Sequence, residues 1–163
     1  MSQSQARGDW VDEVVDKYSD MVYRIAFTQM KNKTDADDVF QEVFLKLCKS
    51  TAWFESDEHI KAWLIRVTIN TCKKSFTSPW NKKMVELPED LVYEDKHQDF
   101  EVVRAVQSLP AKYRTVIHLF YFEDMPVAQI ARTLELTAGT VKSQLSRGRN
   151  LLKNKLKGEF ANA

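Results

Sequence analysis

Residues 125–149 carry the pattern of two short helices joined by a tight turn, and this pattern constrains the fold more than any other part of the chain. Pro126 suits the first turn of a helix, where its missing N–H is no loss. Ala131 is small enough for two helices to cross closely. Thr137 or Thr140 can cap the second helix by accepting a hydrogen bond from its free N–H groups. The pattern therefore predicts a helix-turn-helix.

The second helix of this pair is predicted to be amphipathic. Its apolar and small residues share one face, namely Val141, Leu145, Gly148 and Leu152. Its polar and basic residues share the other, namely Lys142, Ser143, Ser146, Arg147, Asn150 and Lys153. Such side chains hydrogen-bond base edges and phosphates, so the helix suits the DNA major groove. The alternative is a solvated helix with scattered charge, and this segment alone does not decide between the two.

The charge of the chain is distributed unevenly along its length, although its formal net charge is only +1. Residues 104–157 hold ten basic and three acidic side chains, and residues 61–83 contain six basic and no acidic ones. Residues 84–101 between these blocks hold seven acidic side chains and one lysine. Two basic blocks indicate two contacts with a polyanion, whereas ordinary surface charge is the plainer interpretation.

Composition and periodicity predict an all-α protein. Glycine and proline number only four each, and apolar residues make up 44% of the chain. Apolar residues recur at three- and four-residue spacing in six or seven segments. These segments are about 10–30, 34–48 (capped by Thr34), 59–76, 100–108, 111–122, 127–134 and 140–156. We predict two small helical domains, residues 9–78 and 100–157, joined by a flexible acidic linker at residues 79–99.

The first domain carries two further surfaces of interest. A basic face on the third helix is predicted from Arg66, Asn70, Lys73 and Lys74, and the loop before it holds Trp53 and Phe54. Aromatic rings mixed with cations suit single-stranded bases, which stack on the rings. Loop packing is the other interpretation for both aromatic residues. An acidic face on the second helix is predicted from Asp37, Asp38, Gln41 and Glu42, and it suits a basic protein partner.

Several classes of function are disfavoured by the sequence. His59, His97 and His118 lie far from any nucleophile, and no glycine-rich phosphate loop is present. Cys48 and Cys72 have no second ligand at metal spacing, so we expect no metal, no cofactor and no catalytic site. We also expect no membrane insertion and a cytoplasmic location, because no apolar run reaches about 18 residues and the N-terminus lacks the apolar core of a signal peptide.

Two sets of motifs resemble the extracytoplasmic-function sigma factors, the small promoter-specificity subunits of bacterial RNA polymerase. Residues 35–47 and 62–72 resemble sigma region 2, and residues 109–114 and 139–149 resemble region 4. Any one of these motifs occurs in many regulators. Both sets in this order, over nearly the whole chain from residue 9 to residue 156, identify it as similar to this family.

The resemblance implies a role for each surface. Asp37, Asp38, Gln41 and Glu42 would dock on the clamp helices of the largest polymerase subunit, and the second domain would pack on the polymerase flap. The residues that would open and read the −10 element are Trp53, Phe54, Arg66, Asn70, Lys73 and Lys74. Those that would read the −35 element are Thr140, Lys142, Ser143, Ser146, Arg147, Arg149 and Lys153. Promoter DNA, core polymerase and an inhibitory anti-sigma factor are the implied partners.

Two departures from the family pattern concern the helix-turn-helix. Glu135 stands at a turn position that often holds glycine, and Gln144 stands where a basic residue is common. A non-glycine residue at positive φ costs about 1 kcal/mol, so the turn is expected to differ in shape. A free-standing helix-turn-helix regulator is the alternative function, although it would need neither the acidic face nor a second basic-aromatic block. A nucleic-acid-processing enzyme lacks a metal or nucleophile set.

Overall fold

A computed structural model describes residues 3–77 and 99–161, and the chain divides into two compact units at residues 87 and 88. Every regular element of the described residues is helical, as the periodicity predicts. Most of the predicted acidic linker, residues 79–98, lies outside the described residues, as do Lys82, Lys83 and His97. The two units are therefore described separately.

The first unit is a bundle of three helices: α1 (Gln3–Met30), α2 (Lys33–Lys49) and α3 (Asp57–Thr77). Each helix contributes one apolar stripe to a shared core. The core residues of the stripes on α1 and α2 are Val14, Tyr18, Met21, Val22, Ile25, Ala26, Ala36, Val39, Val43, Phe44 and Leu47. The stripe on α3 adds Ile60, Leu64, Ile65, Ile69 and Cys72. The apolar residues that recur along the predicted segments 10–30 and 34–48 thus face this core, and Phe40 beside them is half-buried.

The helix ends of this unit differ from the predicted ones because caps depend on single side chains. Thr34 does not cap α2; the Oδ1 of Asn32 accepts from the backbone N–H of Asp35 at 2.8 Å. The Oγ of Ser56 accepts from the N–H of His59 at 3.1 Å, so α3 begins at Asp57 rather than at His59. Helix α1 begins at Gln3, about two turns before the predicted start at Trp10.

The second unit contains α4 (Asp99–Gln107), α5 (Ala111–Ile117), a π-helical turn (His118–Phe122), α6 (Val127–Leu134) and α7 (Ala138–Ala161). Its core residues are Ala105, Val106, Leu109, Val116, Ile117, Leu119, Met125, Ile130, Ala131, Val141 and Leu145. Arg114 is also buried, and its Nη1 donates to the carbonyls of Gln107 and Leu109 at 3.3 and 3.2 Å. This buried arginine therefore supplies partners to carbonyl groups at the end of α4, which helices otherwise leave unsatisfied.

The predicted helix over residues 111–122 is not α-helical throughout. At its end the N–H of Glu123 bonds to the carbonyl of His118 at 3.3 Å, which is the five-residue spacing of a π-helix. The Nε2 of His118 lies 2.8 Å from the Oε2 of Glu123, and both side chains are only 3% exposed. This buried pair joins the two ends of the π-helical turn. The Nδ1 of His118 is buried without a hydrogen-bond partner, so only one nitrogen of the ring is paired.

Candidate nucleic-acid and polymerase interfaces

The helix-turn-helix consists of α6 and α7, and its turn is built as a left-handed C-cap. Glu135 adopts φ 58° and ψ 42°, and the N–H of Leu136 bonds to the carbonyl of Ala131 at 2.9 Å. This bond is the one that usually accompanies glycine at the same position. The turn therefore keeps its usual shape in spite of Glu135, contrary to the expected difference. Pro126 lies one residue before α6 as its N-cap, not in its first turn.

The N-terminus of α7 is capped by Thr137, which resolves the choice between the two threonines. The Oγ1 of Thr137 accepts from the backbone N–H of Thr140 at 3.1 Å and lies 2.8 Å from the Thr140 hydroxyl. Thr140 itself is exposed on the first turn of α7. A base or phosphate contact by the Thr140 hydroxyl would therefore compete with its contact to Thr137.

The outer face of α7 presents the predicted DNA-contacting residues to solvent. The exposed polar residues of this face are Lys142, Ser143, Ser146, Arg147, Asn150 and Lys153. On the opposite face Val141, Leu145 and Gly148 are buried, while Leu152 is half-buried. The amphipathic prediction for α7 is thus confirmed. Gln144 lies at the edge of the buried face, and its Oε1 is buried without a hydrogen-bond partner.

The Arg147 side chain lies beside the hydroxyl of Tyr113, at the start of α5. The Arg147 guanidinium beside the Tyr113 hydroxyl lowers the pKa of that phenol below its ordinary value of 10.0. A guanidinium held in this way loses less side-chain entropy when it binds a base edge. The Tyr113 hydroxyl therefore offers Arg147 a partner within its own unit.

Arg149 contacts the aromatic residues of the π-helical turn. Its Nε donates to the Tyr121 hydroxyl at 2.6 Å, and its guanidinium lies 5.5 Å from the Phe120 ring and 5.7 Å from the Tyr121 ring. These distances are those of cation–π contacts. The structure thus groups Arg149 with the aromatic residues of the π-helical turn, which the sequence pattern of α7 alone does not indicate.

An apolar groove of about 580 Å³ lies in the second unit beside Arg149. It is formed by α4, the end of α5, the π-helical turn and the C-terminal half of α7. The apolar lining consists of Val102, Val106, Ile117, Phe122, Leu152 and Leu156, with Tyr121 at its edge. Arg149, Lys153 and Lys157 add positive charge to the lining. Sequence reasoning missed this groove because its lining comes from segments up to 55 residues apart.

In the first unit α3 presents the predicted basic face only in part. Asn70, Lys73 and Lys74 are exposed, whereas Arg66 is half-buried. Phe76 is 45% exposed on the last turns of the same helix. This end of α3 therefore combines cations with an aromatic ring, the combination that suits a nucleic-acid strand.

The structure separates the two aromatic residues of the loop before α3. Trp53 is 83% exposed. Phe54 instead packs against three rings, with centroids 5.8 Å from Trp10, 5.5 Å from Trp63 and 5.3 Å from His59. Phe54 is thus a structural residue of the loop, and only Trp53 presents a free ring face.

The acidic face of α2 is exposed and extends to an apolar residue. Asp38, Gln41 and Glu42 are exposed, and Asp37 is half-buried. Ion pairs within the helix join Asp37 to Lys33 at 2.7 Å and Glu42 to Lys46 at 3.3 Å. Such exposed pairs are weak, so a partner can replace them at little cost.

One further residue belongs to this face by helical spacing. Leu45 follows Asp38 by seven positions and Gln41 by four, and it is 56% exposed. An exposed leucine among acidic side chains is typical of a protein interface rather than of a nucleic-acid one.

Among the described residues, no group of three histidine, cysteine, aspartate or glutamate side chains is placed to hold a metal ion. No helix within the described ranges is long and apolar enough to cross a membrane. Cys48 is exposed and Cys72 is buried, and neither forms a disulfide.

Comparison with known proteins identifies the two units. The Sigma-70 region 2 family matches residues 14–81, and the Sigma-70, region 4 family matches residues 99–152. RNA polymerase sigma factor SigV of Bacillus subtilis is 32% identical over 142 residues, which are 84% of this chain and 85% of that protein. The chain belongs to the extracytoplasmic-function sigma factors. It is an alternative sigma factor that directs transcription initiation.

Other relatives of this sigma factor carry related names. ECF RNA polymerase sigma factor SigE of Mycolicibacterium smegmatis is 30% identical over 157 residues, and the match spans 89% of this chain but only 61% of that protein. ECF RNA polymerase sigma factor SigW of Bacillus subtilis is 28% identical over 164 residues, spanning 89% of this chain and 88% of that protein.

Solved sigma-factor structures share the fold of this sigma factor. The sigma factor RpoE from Bartonella quintana, solved with the anti-sigma factor NepR, matches with a TM-score of 0.72 and 20% identity over 90% of this chain and 96% of that one. CnrH, solved with the cytosolic domain of CnrY, matches with a TM-score of 0.70 and 19% identity over 95% and 92% of the two chains.

Membership of the family assigns each surface of this sigma factor to a region. The acidic face of α2, the Trp53 loop and the basic end of α3 lie within the region 2 match. The helix-turn-helix and most of the apolar groove lie within the region 4 match. Members of this family are initiation factors rather than enzymes, and the alternative of a free-standing regulator is not favoured.

Proposed function

We propose that the acidic face of α2 binds the clamp helices of the largest subunit of core RNA polymerase. The single observation that supports this most is the exposed acidic strip Asp38, Gln41 and Glu42 with Leu45 at its end. Carboxylates on this strip would repel DNA but would meet a basic protein groove favourably. The exposed leucine would supply the apolar contact that an interface needs.

For the −10 element, we propose that the first unit holds one strand of opened promoter DNA. Trp53 would stack on an extruded base, because its side chain is 83% exposed. Asn70, Lys73 and Lys74 would follow the phosphates or base edges of the same strand, with Arg66 as a closer contact. Phe54 would support the loop from below, through its packing on Trp10, rather than touch DNA.

For the −35 element, we propose that α7 reads duplex DNA in the major groove. Ser143, Ser146 and Arg147 would contact base edges, and Lys142 and Lys153 would contact phosphates. Thr140 would sit at the helix N-terminus near a phosphate. Arg149 would line the apolar groove of the second unit rather than contact DNA bases, because its guanidinium is held by Tyr121.

The apolar groove of the second unit is the proposed docking surface for the polymerase flap. An anti-sigma factor is the further proposed partner, since the related fold of RpoE from Bartonella quintana was solved with the anti-sigma factor NepR. These partners place the action of the protein in the cytoplasm, and the proposed mechanism needs no catalytic group, metal ion or cofactor.

Charge reversal on α2 tests the proposed function. Asp38→Arg with Glu42→Arg should weaken binding to core polymerase about a hundredfold or more, because like charges would then face a basic groove. Promoter-directed transcription with purified core enzyme should fall with it. The matched control is Asp16→Arg with Asp20→Arg, an exposed pair on α1 with the same four-residue spacing and the same change in net charge.

The control pair should leave core affinity within about twofold of that of the unchanged protein. Equal affinity of the α2 variant would contradict the proposed interface. Nanomolar binding to an operator without core polymerase would instead support a free-standing regulator.

A further inference from the structure

The first two turns of α1 hold the start of the Trp53 loop. Arg7 is half-buried, and its Nη2 donates to the carbonyl of Ser50 and lies 3.5 Å from the carbonyl of Leu47. Both carbonyls belong to the C-terminal end of α2, where helices leave carbonyl groups without partners. Arg7 thus fixes the point at which the chain leaves α2 and enters the loop.

The middle of the loop is held by Trp10. Its ring stacks on Phe54 with centroids 5.8 Å apart and planes inclined by 20°. The Arg7 guanidinium lies 5.1 Å from the Trp10 ring centroid on the same turns of α1. Arg7, Trp10 and Phe54 therefore form one continuous contact, of the kind that stabilises rings beyond the area they bury.

The end of the loop is held by Lys17 and Tyr18 of α1 and by the cap of α3. The Tyr18 hydroxyl donates to the carbonyl of Asp57 at 3.2 Å, and Lys17 pairs with the Asp57 carboxylate at 2.7 Å. His59 accepts from the backbone N–H of Glu55 through its Nδ1 at 3.2 Å. The loop is thus anchored at three points. Arg7 holds its start, Trp10 holds Phe54 in its middle, and Lys17 and Tyr18 hold its end.

Trp53 stands out in this anchored loop because its own ring is 83% exposed. A large aromatic ring in water would ordinarily be expected on a loop that is free to move. Here the neighbouring residue, Phe54, is clamped between α1 and α3 instead. The arrangement presents the Trp53 ring from a fixed backbone.

We propose that Arg7 and Trp10 are positioning residues for the capture of an unpaired promoter base by Trp53. This inference rests on the proposed function of the loop in the −10 element. Extruding a base costs a few kcal/mol, and ordering a mobile loop would add to that cost. A loop already held by Arg7 and Trp10 avoids this entropic cost. It also keeps the Trp53 ring where the extruded promoter base can stack on it.

The test uses the full chain assembled with core polymerase on a promoter located by footprinting that holoenzyme. Open-complex formation is measured on the cognate promoter and on promoters with single substitutions in the −10 element, for Trp10→Ala, Arg7→Gln, Trp53→Ala and the unchanged protein. Trp10→Phe is the conservative variant, since it keeps a ring against Phe54. Gly8→Ala is the matched control on the same turn, because an added Cβ there meets no atom within 4 Å.

Trp10→Ala and Arg7→Gln should each reduce opening of the cognate promoter about tenfold. They should also reduce the ratio between cognate and substituted promoters, as Trp53→Ala is expected to do. Trp10→Phe should restore most of both quantities, and Gly8→Ala should change neither. Loss of fold alone would lower opening on all promoters equally and would also lower affinity for core polymerase, which is measured in parallel.

The two proposals fail in different ways. Unchanged discrimination in Trp10→Ala and Arg7→Gln, together with a defect in Trp53→Ala, would overturn the positioning role and leave the loop function intact. Unchanged discrimination in Trp53→Ala would overturn the loop function itself. If Trp10→Ala does not fold, Arg7→Gln decides the inference alone, since Arg7 makes its contacts at the surface of the bundle.

Discussion

Glu135 is a single residue whose backbone conformation carries a cost for the whole helix-turn-helix. It occupies the left-handed region, where the Cβ of an L-residue approaches the following carbonyl. Two further non-glycine residues among those described share this conformation, Lys31 and Asp124. Glu135 is the one that lies between α6 and α7. The stability of the proposed DNA-reading unit is therefore below what its core packing would allow.

We expect Glu135→Gly to raise the free energy of unfolding of the second unit by about 0.5–1 kcal/mol, because glycine adopts this conformation without strain. Glu135→Ala is the control, since it removes the same side chain but keeps the Cβ. Hydrogen exchange of amides in α6 and α7 would localise the effect to this unit. A gain for alanine equal to that for glycine would show that the side chain, and not the backbone, is responsible.

Helix α7 crosses α5 closely at Gly148, and this contact fixes which face of α7 points outward. A Cβ at this position would lie 3.0 Å from the Cγ1 of Ile117 and 3.4 Å from the Cβ of Tyr113. The close approach brings the backbone of α7 onto the core of the second unit. Ser143 and Ser146 are thereby held away from this core, in solvent.

Substitutions at Gly148 should separate helix propensity from packing. Gly148→Leu should destabilise the second unit by about 2 kcal/mol or more, because its side chain has no room against Ile117. Gly148→Ala should be close to neutral, since a gain of up to about 1 kcal/mol in helix propensity offsets a small shift of the Ile117 side chain. Thermal unfolding monitored by circular dichroism measures both changes.

Gly158 on the same helix offers the comparison, because an added Cβ there meets no atom within 4 Å. Gly158→Leu should leave the unfolding midpoint within about 2 °C of that of the unchanged protein, or raise it slightly. If Gly158→Leu lowered the unfolding midpoint as much as Gly148→Leu does, the close contact between α7 and α5 would not be the cause of the destabilisation.

The elements that the sequence predicts best are those governed by helical periodicity. The limits of α6 and the apolar stripes of α1, α2 and α7 follow from spacing, since burial of one face repeats every 3.6 residues. Helix caps depend on the geometry of one side chain. The observed caps of α2 and α3 are therefore Asn32 and Ser56, and the expected starts at Thr34 and His59 were wrong. The π-helical turn at His118 has no such repeat. Its bond to Glu123 depends on how the chain packs after α5.

The candidate surfaces were also predictable to different degrees, because some follow from helical periodicity and others depend on packing between segments. Exposed polar faces on α2 and α7 follow directly from the pattern, because a face that is not apolar is exposed. The distinction between Trp53 and Phe54 does not, since both are aromatic residues in one loop and only the packing of Trp10 separates them. The apolar groove needs four segments together, and no local pattern contains it.

At the scale of the whole molecule, two folded units carry separate proposed contacts with one promoter. The first unit offers Trp53 and the second offers Arg147, and both side chains are exposed. Two weak contacts joined by a chain act with a high effective concentration of one for the other. The affinity of the holoenzyme for a promoter is then expected to depend on both units together.

A double-mutant cycle tests this independence. Trp53→Ala and Arg147→Ala should each weaken promoter binding by the holoenzyme by about 1–3 kcal/mol. The double variant should lose the sum of the two values within about 0.5 kcal/mol, because distant contacts add. Promoter dissociation constants at a fixed salt concentration give the four values. A coupling above about 1 kcal/mol would contradict separate contacts.

The exposed Trp53 ring has a consequence for the energy of assembly. An indole left in water contributes almost none of its hydrophobic free energy to the folding of its own chain. At about 25 cal/mol per Å² and 150–250 Å² for a large aromatic ring, the deferred contribution is about 4–6 kcal/mol. Any surface that covers the ring gains this hydrophobic free energy on binding. The protein alone is therefore less stable than its composition allows, and the assembled complex is more stable by the same contribution.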